Sequence, residues 1–520
     1  MPKFIPYDPK QAKMVAISYA DQLQAGTFEF AINHIIDHKL DLTIFHPRYQ
    51  NDDGGRPAYD PAILLKIILF AYSKGITSSR EIQWCCETNI VFKALSCDTV
   101  PHFTTIASFV SGRGEEIEAL FEQVLLICDQ QGLLGKALFA LDGCKLPSNA
   151  AKEWSGTFKE LEQKRDKLRR RIQYYLNAHQ QHDSSGTRED ERQRRTQQTI
   201  ETLNHAHDKI DKFLKTASPR MGKGRQNKEV KSNITDNESA KMTTSKGTIQ
   251  GYNGVATVDK KHQIIVDAQA FGEGQEHHIL QPVLNRLHAR FARLGIQTHD
   301  PIITADTGYA CEANMRYLHE NQINAYIPDN QFRKRDPKFA EQKTHHSQRK
   351  AITGKKQASS HVIPASEFEF DPVTLTCRCP AGETLSFRGQ RPDQHGHLKV
   401  FFEGRLLQCR HCDLKARCMT NPDSANHRKG NGRQVSFILE KTQRAPNYTD
   451  WMKQRVDSNK GKWIYSHRMS VVEPVFGNIG TNKRLNRFSL RGKQKVQGQW
   501  QLYCLIHNLE KLKNYGELSR

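Results

Sequence analysis

Apolar positions recur at helical spacing through the first 130 residues. Asp60-Pro61 reads as an N-cap followed by proline at the first helical position, and it opens an apolar stretch from Ile63 to Tyr72 that Gly75 closes. Thr77, Ser78 or Ser79 caps the next helix, which runs through Ile82, Trp84 and Ile90; a third starts after Pro101-His102, with Thr104 or Thr105 as its cap. Short helices joined by tight polar turns predict a helix-turn-helix-like bundle over residues 1–130, suited to holding DNA.

The pattern then changes. Ala137 to Leu141 is an unbroken apolar run ending in Asp142, as in a buried strand that delivers one carboxylate at its end. Phe158, Leu161, Leu168, Ile172 and Tyr175, then Ile200, Leu203, Ile210 and Leu214 beyond the polar turn HDSSGT, predict an antiparallel helical hairpin inserted over 155–217. Strands resume at Gly251–Asp259 and Gln263–Phe271, a helix covers Ile279–Leu294, and PIITADTGY is one more strand with an aspartate, Asp306, at its end. Residues 329–361 are basic and nearly free of large apolar side chains, hence a linker. Cysteine-rich material follows over 362–431, then the strand VSFIL, expected to return to the main sheet, and a helix from Trp500 to Leu512.

Charge sharpens this picture. The 520 residues carry a net charge of +21. Residues 151–231, 331–361 and 451–520 account for +8, +7 and +10 of it, so the remainder is slightly acidic. Positive charge confined to defined segments suits a polyanion such as double-stranded DNA. No run of about 18 uninterrupted apolar residues is present, which argues against a membrane span. The first residues lack an apolar signal core, and twelve cysteines are too few for a disulfide scaffold; a cytoplasmic, nucleoid-associated protein is expected.

Asp142 and Asp306 share one grammar, an apolar β run followed at once by Asp and a small residue or turn. A carboxylate at the end of a buried strand stays ionised only if a cation or donor compensates it. Two from neighbouring strands can hold Mg²⁺ or Mn²⁺, and a third would complete a two-metal site for phosphodiester chemistry. In YSHRMSVVEPVFGNIGTNK, Tyr465, Arg468 and Glu473 offer a phenol, a permanent cation suited to phosphate, and that third carboxylate. Among the cysteines, Cys409 and Cys412 form a C-x₂-C knuckle with Cys418 downstream; Cys379 is the expected fourth ligand of a structural Zn²⁺, with Cys377 spare and His411 a substitute.

These residues together resemble a family. GRPAYDPAILLKIILFAYSKG, LDGCKL, TADTGY, YSHRMSVVEPVFGNI and FSLRGKQKVQGQWQLYCLIHNLEKL are similar to successive segments of DDE-type transposases of bacterial insertion sequences, in the subgroup with a Val-Glu-Pro-Val-Phe-Gly box. The resemblance implies an α/β fold: an RNase H-like mixed sheet with flanking helices, formed from 131–328 and 432–520, besides the helical domain, the hairpin and a zinc-ribbon-like insertion. It implies that Asp142, Asp306 and Glu473 bind metal with Tyr465 and Arg468 assisting, that the enzyme cleaves DNA at terminal inverted repeats and joins it to a target, and that it works as a homodimer in a synaptic complex. The basic C-terminal segment, with Lys483, Arg484, Arg487, Arg491 and Lys493, is expected to follow phosphates. The chain departs from the family pattern in having Gly480 where a lysine is usual, Lys483 being the nearest replacement, and four residues rather than three between Arg468 and Glu473. A DNA-binding relic without catalysis and a nuclease without a joining step are the competing readings.

Overall fold

The first helices begin where side chains supply acceptors to free N–H groups. A computed structural model describes residues 16–49, 54, 57–180, 187–223, 227–245, 247–339, 362–393, 397–440 and 447–517. Asp60 accepts from the Ala62 N–H and opens the helix Pro61–Ser73, while Ser78 takes the Glu81 N–H and opens Ser79–Thr88. The continuous helix expected through Ile90 is broken, because Asn89 is extended and caps a separate helix, Ile90–Leu95. The cap of Phe103–Gly112 is His102 rather than either threonine: its Nδ1 accepts from the Thr104 N–H. Lys66, which interrupts the apolar stretch, is buried and paired with Asp37 at 2.7 Å.

Contacts divide the chain into two units, Met1–Asp329 with Met452–Arg520, and Asn330–Trp451. The N-terminal helices thus share one unit with the main sheet. That sheet runs Ala325–Tyr326, Ile302–Ala305, Leu138–Pro147, Gly247–Asp259, Ala240–Thr244, with Ile265–Phe271 also paired to Gly247–Asp259. The first three strands are mutually parallel and the other pairings antiparallel, so this is a mixed α/β sheet flanked by helices. The hairpin insertion is present as Phe158–Gln180 packed on Thr187–Thr216, burying Leu161, Ile172, Ile200 and Ile210. Its turn HDSSGT lies outside the described residues as far as Gly186.

The helix Lys493–Tyr515 packs on Gly114–Gln130 and on the strand Ile265–Phe271, whose outer backbone groups it satisfies. Asn508 both accepts from the Ile265 N–H and donates to its carbonyl at 2.8 Å, and Gln497 does the same for Ala270 and Ala268. An otherwise open edge is closed by side chains. Arg290, fully buried on Leu280–Leu294, bonds Asp267 on that strand and Glu118 and Glu122 on Gly114–Gln130.

The second unit is a five-stranded antiparallel sheet, Glu369–Asp371, Thr376–Arg378, Thr384–Pro392, Leu398–Glu403 and Gln434–Glu440. The VSFIL strand belongs here, paired with Leu398–Glu403, and does not return to the main sheet. It has its own core of Phe368, Leu385, Val400, Phe402 and Val435. Within the expected linker, Phe332–Arg335 is a helical turn, and residues 340–361 lie outside the described residues.

His507, buried in the Lys493–Tyr515 helix, donates from Nε2 to the Gln263 carbonyl (2.9 Å) and accepts at Nδ1 from Asn478 (3.1 Å). Burial pushes its pKa down to about 3. The unfolded chain therefore takes up a proton below the ordinary histidine pKa of about 6.5 that the folded chain refuses, so stability falls with pH through this window. Urea midpoints measured from pH 7.5 to 4.5 should drop more steeply for the wild type than for His507→Gln.

Candidate active site

Parallel pairing of Leu138–Pro147 with Ile302–Ala305 sets Ala140 beside Thr304 and Leu141 beside Ala305. One residue further along stand Asp142 and Asp306, side by side. Asp306 follows the end of its strand as expected, but Asp142 does not: its strand runs on to Pro147, with Asp142 opposite Ala256, because Gly247–Asp259 goes on pairing beyond the apolar run. Asp142 is largely buried. Its Oδ1 accepts from the Gly143 N–H at 2.8 Å and its Oδ2 meets Arg468 Nη2 at 2.7 Å. Burial raises its pKa to about 6 in spite of Arg468, and the charges of Asp306 and Glu276 add to the rise. Gly143 lies tightly against Asn253, whose Oδ1 a Cβ would approach to 2.6 Å.

Asp306 is half exposed, with Oδ1 3.9 Å from Arg468 Nη1. Arg468, the first residue of the helix Arg468–Gly477, is buried to 5% exposure, with its Nε unpartnered. Burial works against its charge, and Asp142, Tyr465 and Asp306 hold the pKa above the ordinary value. Tyr465, half-buried near the end of Asn459–Ser466, is thus electrostatically coupled to the same centre. Asp142, Asp306, Arg468 and Tyr465 come together.

Glu473 is not gathered with them in the same way. It is exposed five residues beyond Arg468, about 140° round the helix, whereas Val471, Val472 and Val475 turn inward. The basic residues divide. Lys483, expected on a phosphate-facing surface, is fully buried, with Nζ 2.5 Å from Glu510 Oε2. Nothing about it is available to DNA; the reason is that Glu510 and Asn478 form a polar pocket for it inside the fold. Arg484, Arg487, Arg491 and Lys493 are exposed. Arg487 and Arg491 donate to Ser148 and Asn149, just past the Asp142 strand.

In the second unit, Cys379, Cys409, Cys412 and Cys418 line one small cavity. Gly404 and Gly432 make room for the Cys409 sulfur, which a Cβ at either position would approach to 2.7 and 3.1 Å. Burial raises the Cys418 thiol pKa; Arg433 opposes this and the other three thiols add to it. Cys377 is in the core, and His411 is exposed. Among the described residues no three His, Cys, Asp or Glu side chains are disposed to hold a metal ion, here or at the carboxylates.

A family described as Transposase DDE domain matches residues 378–513, and one described as Transposase domain (DUF772) matches residues 17–112. The chain belongs to the DDE transposases. No curated protein matches it. The matched spans include the N-terminal helices, Tyr465, Arg468 and Glu473, while Asp142 and Asp306 lie between them. DNA transposition is accordingly the function at family level, and the DDE domain makes the chain an enzyme class that works on DNA with a divalent metal. Among the described residues no helix is long and apolar enough to cross a membrane.

The transposase has one acidic residue at this site that sequence reading missed, Glu276. It lies in a short turn, Glu276–His278, that begins five residues beyond the strand Ile265–Phe271, so no strand-end signature marks it. Its carboxylate pairs with Lys145 Nζ at 3.1 Å. Asn314 donates to the carbonyls of His277 and Tyr309 and so ties this turn to the one that follows Asp306.

Lys483→Met should destabilise the transposase by about 2 kcal/mol, less than a fully buried pair would lose because Glu510 reaches solvent. The salt dependence of DNA binding should not change, since no phosphate contact is lost. Urea unfolding and binding titrations at two salt concentrations check both halves.

Proposed function

We propose that this transposase recognises the terminal inverted repeats of its own insertion sequence, hydrolyses phosphodiester bonds at the element ends, and joins the freed 3′-hydroxyls to target DNA. The observation that carries this reading is the parallel register that sets Asp142 and Asp306 side by side around Arg468. Their oxygen donors suit a hard divalent ion, Mg²⁺ or Mn²⁺, in an open site that leaves positions for phosphate and water. When bound, such ions supply an activated hydroxyl and stabilise the leaving oxygen.

The chain's own groups do the rest. Asp142 and Asp306 are the metal-holding pair, and Glu473 is the third acid that the family resemblance implies. Arg468 presents a guanidinium whose charge persists at any working pH, a fork suited to non-bridging phosphate oxygens. Tyr465 places a phenol beside it. Arg484, Arg487, Arg491 and Lys493 give an exposed basic segment that can follow the DNA backbone. The fold we assign to the main unit is RNase H-like, and the synaptic assembly is a homodimer.

The four thiols in the second unit are soft donors gathered on one cavity, and we assign them a structural Zn²⁺ in a zinc-ribbon-like module. Metal analysis of protein purified without chelator should give about one zinc per chain. Cys409→Ser or Cys412→Ser should release it and lower the thermal midpoint. Protein free of zinc would leave these cysteines as buried thiols.

Asp142→Asn and Asp306→Asn should each abolish cleavage of end-bearing DNA while leaving affinity for it within about twofold, because Asn keeps the shape and removes the charge that holds the metal. Glu473→Gln tests the third acid in the same assay. With wild-type protein and Mg²⁺, cutting with joining supports a transposase, cutting alone a nuclease, and no cutting a DNA-binding relic. Wild-type cleavage by either aspartate variant would refute the assignment.

A further inference from the structure

We infer that Glu276 is a further metal-binding carboxylate of the active site, on the turn that faces Asp142 and Asp306, and that a divalent ion would gather the three by displacing Lys145 and Arg468. Those two pair with Glu276 and Asp142 in the metal-free arrangement, where among the described residues no three acids are disposed around an ion. This rests on the reading of the two aspartates as a metal-holding pair.

Three features of the fold bring Glu276 there. The turn Glu276–His278 packs directly against Thr307–Tyr309, the turn that begins at Asp306. Asn314, 6% exposed, bridges the two through its side-chain amide, with bonds of 2.9 Å to the His277 carbonyl and 2.8 Å to that of Tyr309. Gly308, two residues after Asp306, leaves the space that the Glu276 carboxylate fills; a Cβ there would collide with Glu276 Oε2. A glutamate packed against a backbone glycine, on a turn tied by a buried amide, is kept beside the turn that follows Asp306.

The surroundings point to a cation. Glu276 and its partner Lys145 are both mostly buried, and Lys145 belongs to the same strand as Asp142. Close by is an independent sign of an unfilled polar position: the Tyr309 hydroxyl is fully buried without a hydrogen-bond partner, among the charges of Glu276, Asp142, Arg468 and Asp306. A buried donor left unsatisfied costs about 1–3 kcal/mol. In a site of ionised carboxylates it is the group that would meet a ligand oxygen or a metal-bound water. Lys145 neutralises Glu276, just as Arg468 neutralises Asp142, so every acid at the centre has a basic partner that a divalent ion could replace.

Titration of full-length protein with MnCl₂, followed by the electron paramagnetic resonance signal of free Mn²⁺, tests this without DNA cleavage. Glu276→Gln should weaken Mn²⁺ binding by about tenfold or more, and Glu276→Asp, which keeps the charge, by less. Lys145→Met should bind Mn²⁺ at least as tightly as the wild type, and the double variant Lys145→Met/Glu276→Gln should remain weak. Circular dichroism and thermal midpoints establish that each variant is folded. Binding by Glu276→Gln within about twofold of wild type, or recovery in the double variant, overturns the inference; recovery would mean that the loss came from an uncompensated Lys145. If Asp142→Asn loses Mn²⁺ and Glu276→Gln does not, the place given to Glu276 is wrong and the aspartate pair stands. If Asp142→Asn and Asp306→Asn also bind as the wild type, the aspartate reading falls, and this inference with it.

Discussion

Bringing two carboxylates together on adjacent buried strands, one within its strand and one just past the end, is the constraint around which this transposase is built. Taking an ionised carboxylate out of water costs several kcal/mol unless a fixed cation answers it. The burial of Asp142 shows that cost directly, in a pKa raised to about 6 although Arg468 lies 2.7 Å away. Arg468 must then be held inside the protein at one place. The helix it begins does this by burying Val471, Val472 and Val475 on its inner face. The two short turns beyond Asp306 and Ile265–Phe271 complete the surround, held together by one amide of Asn314.

The same logic of answered charge joins the N-terminal helices to the sheet. Arg290 has no exposed surface, so its guanidinium needs acceptors, and it finds them on three elements at once: Asp267 on a strand, Glu118 and Glu122 on Gly114–Gln130. With Lys493–Tyr515 packed between, the region expected to touch DNA becomes part of the unit that carries the aspartates. The second unit is different in kind. Its sheet closes on its own apolar core, and an insertion with a core of its own lengthens the chain between Asp306 and Arg468 at little entropic cost, since loop closure depends only logarithmically on length.

Local signals were read well from sequence because each has a local cause. Asp60-Pro61 and Ser78 start helices by bonding the next N–H groups; the apolar runs ending at Asp142 and Asp306 form strands; the two periodic stretches around HDSSGT form a hairpin. These follow from hydrogen-bond capping and burial periodicity over a few residues. The break at Asn89 and the His102 cap were less legible, because the residues chosen compete with neighbours of similar capping strength.

What lay outside the sequence was partnership across the chain. VSFIL is apolar enough for any sheet, and only pairing with Leu398–Glu403 decided which. Lys483 reads as one basic residue in a basic segment, yet its burial depends on Glu510, 27 residues away on another helix. Glu276 has no motif, and its nearness to Asp142 and Asp306 arises from a turn, a glycine and an amide brought together by folding. The sequence by itself determined most of the elements, the family and the two aspartates that follow apolar β runs, since those depend on short-range pattern; that the Asp142 strand continues to Pro147 came from its partner strand. Which charges meet was decided by the tertiary structure, because an ion pair is set by distance in space and desolvation, neither of which spacing along the chain encodes.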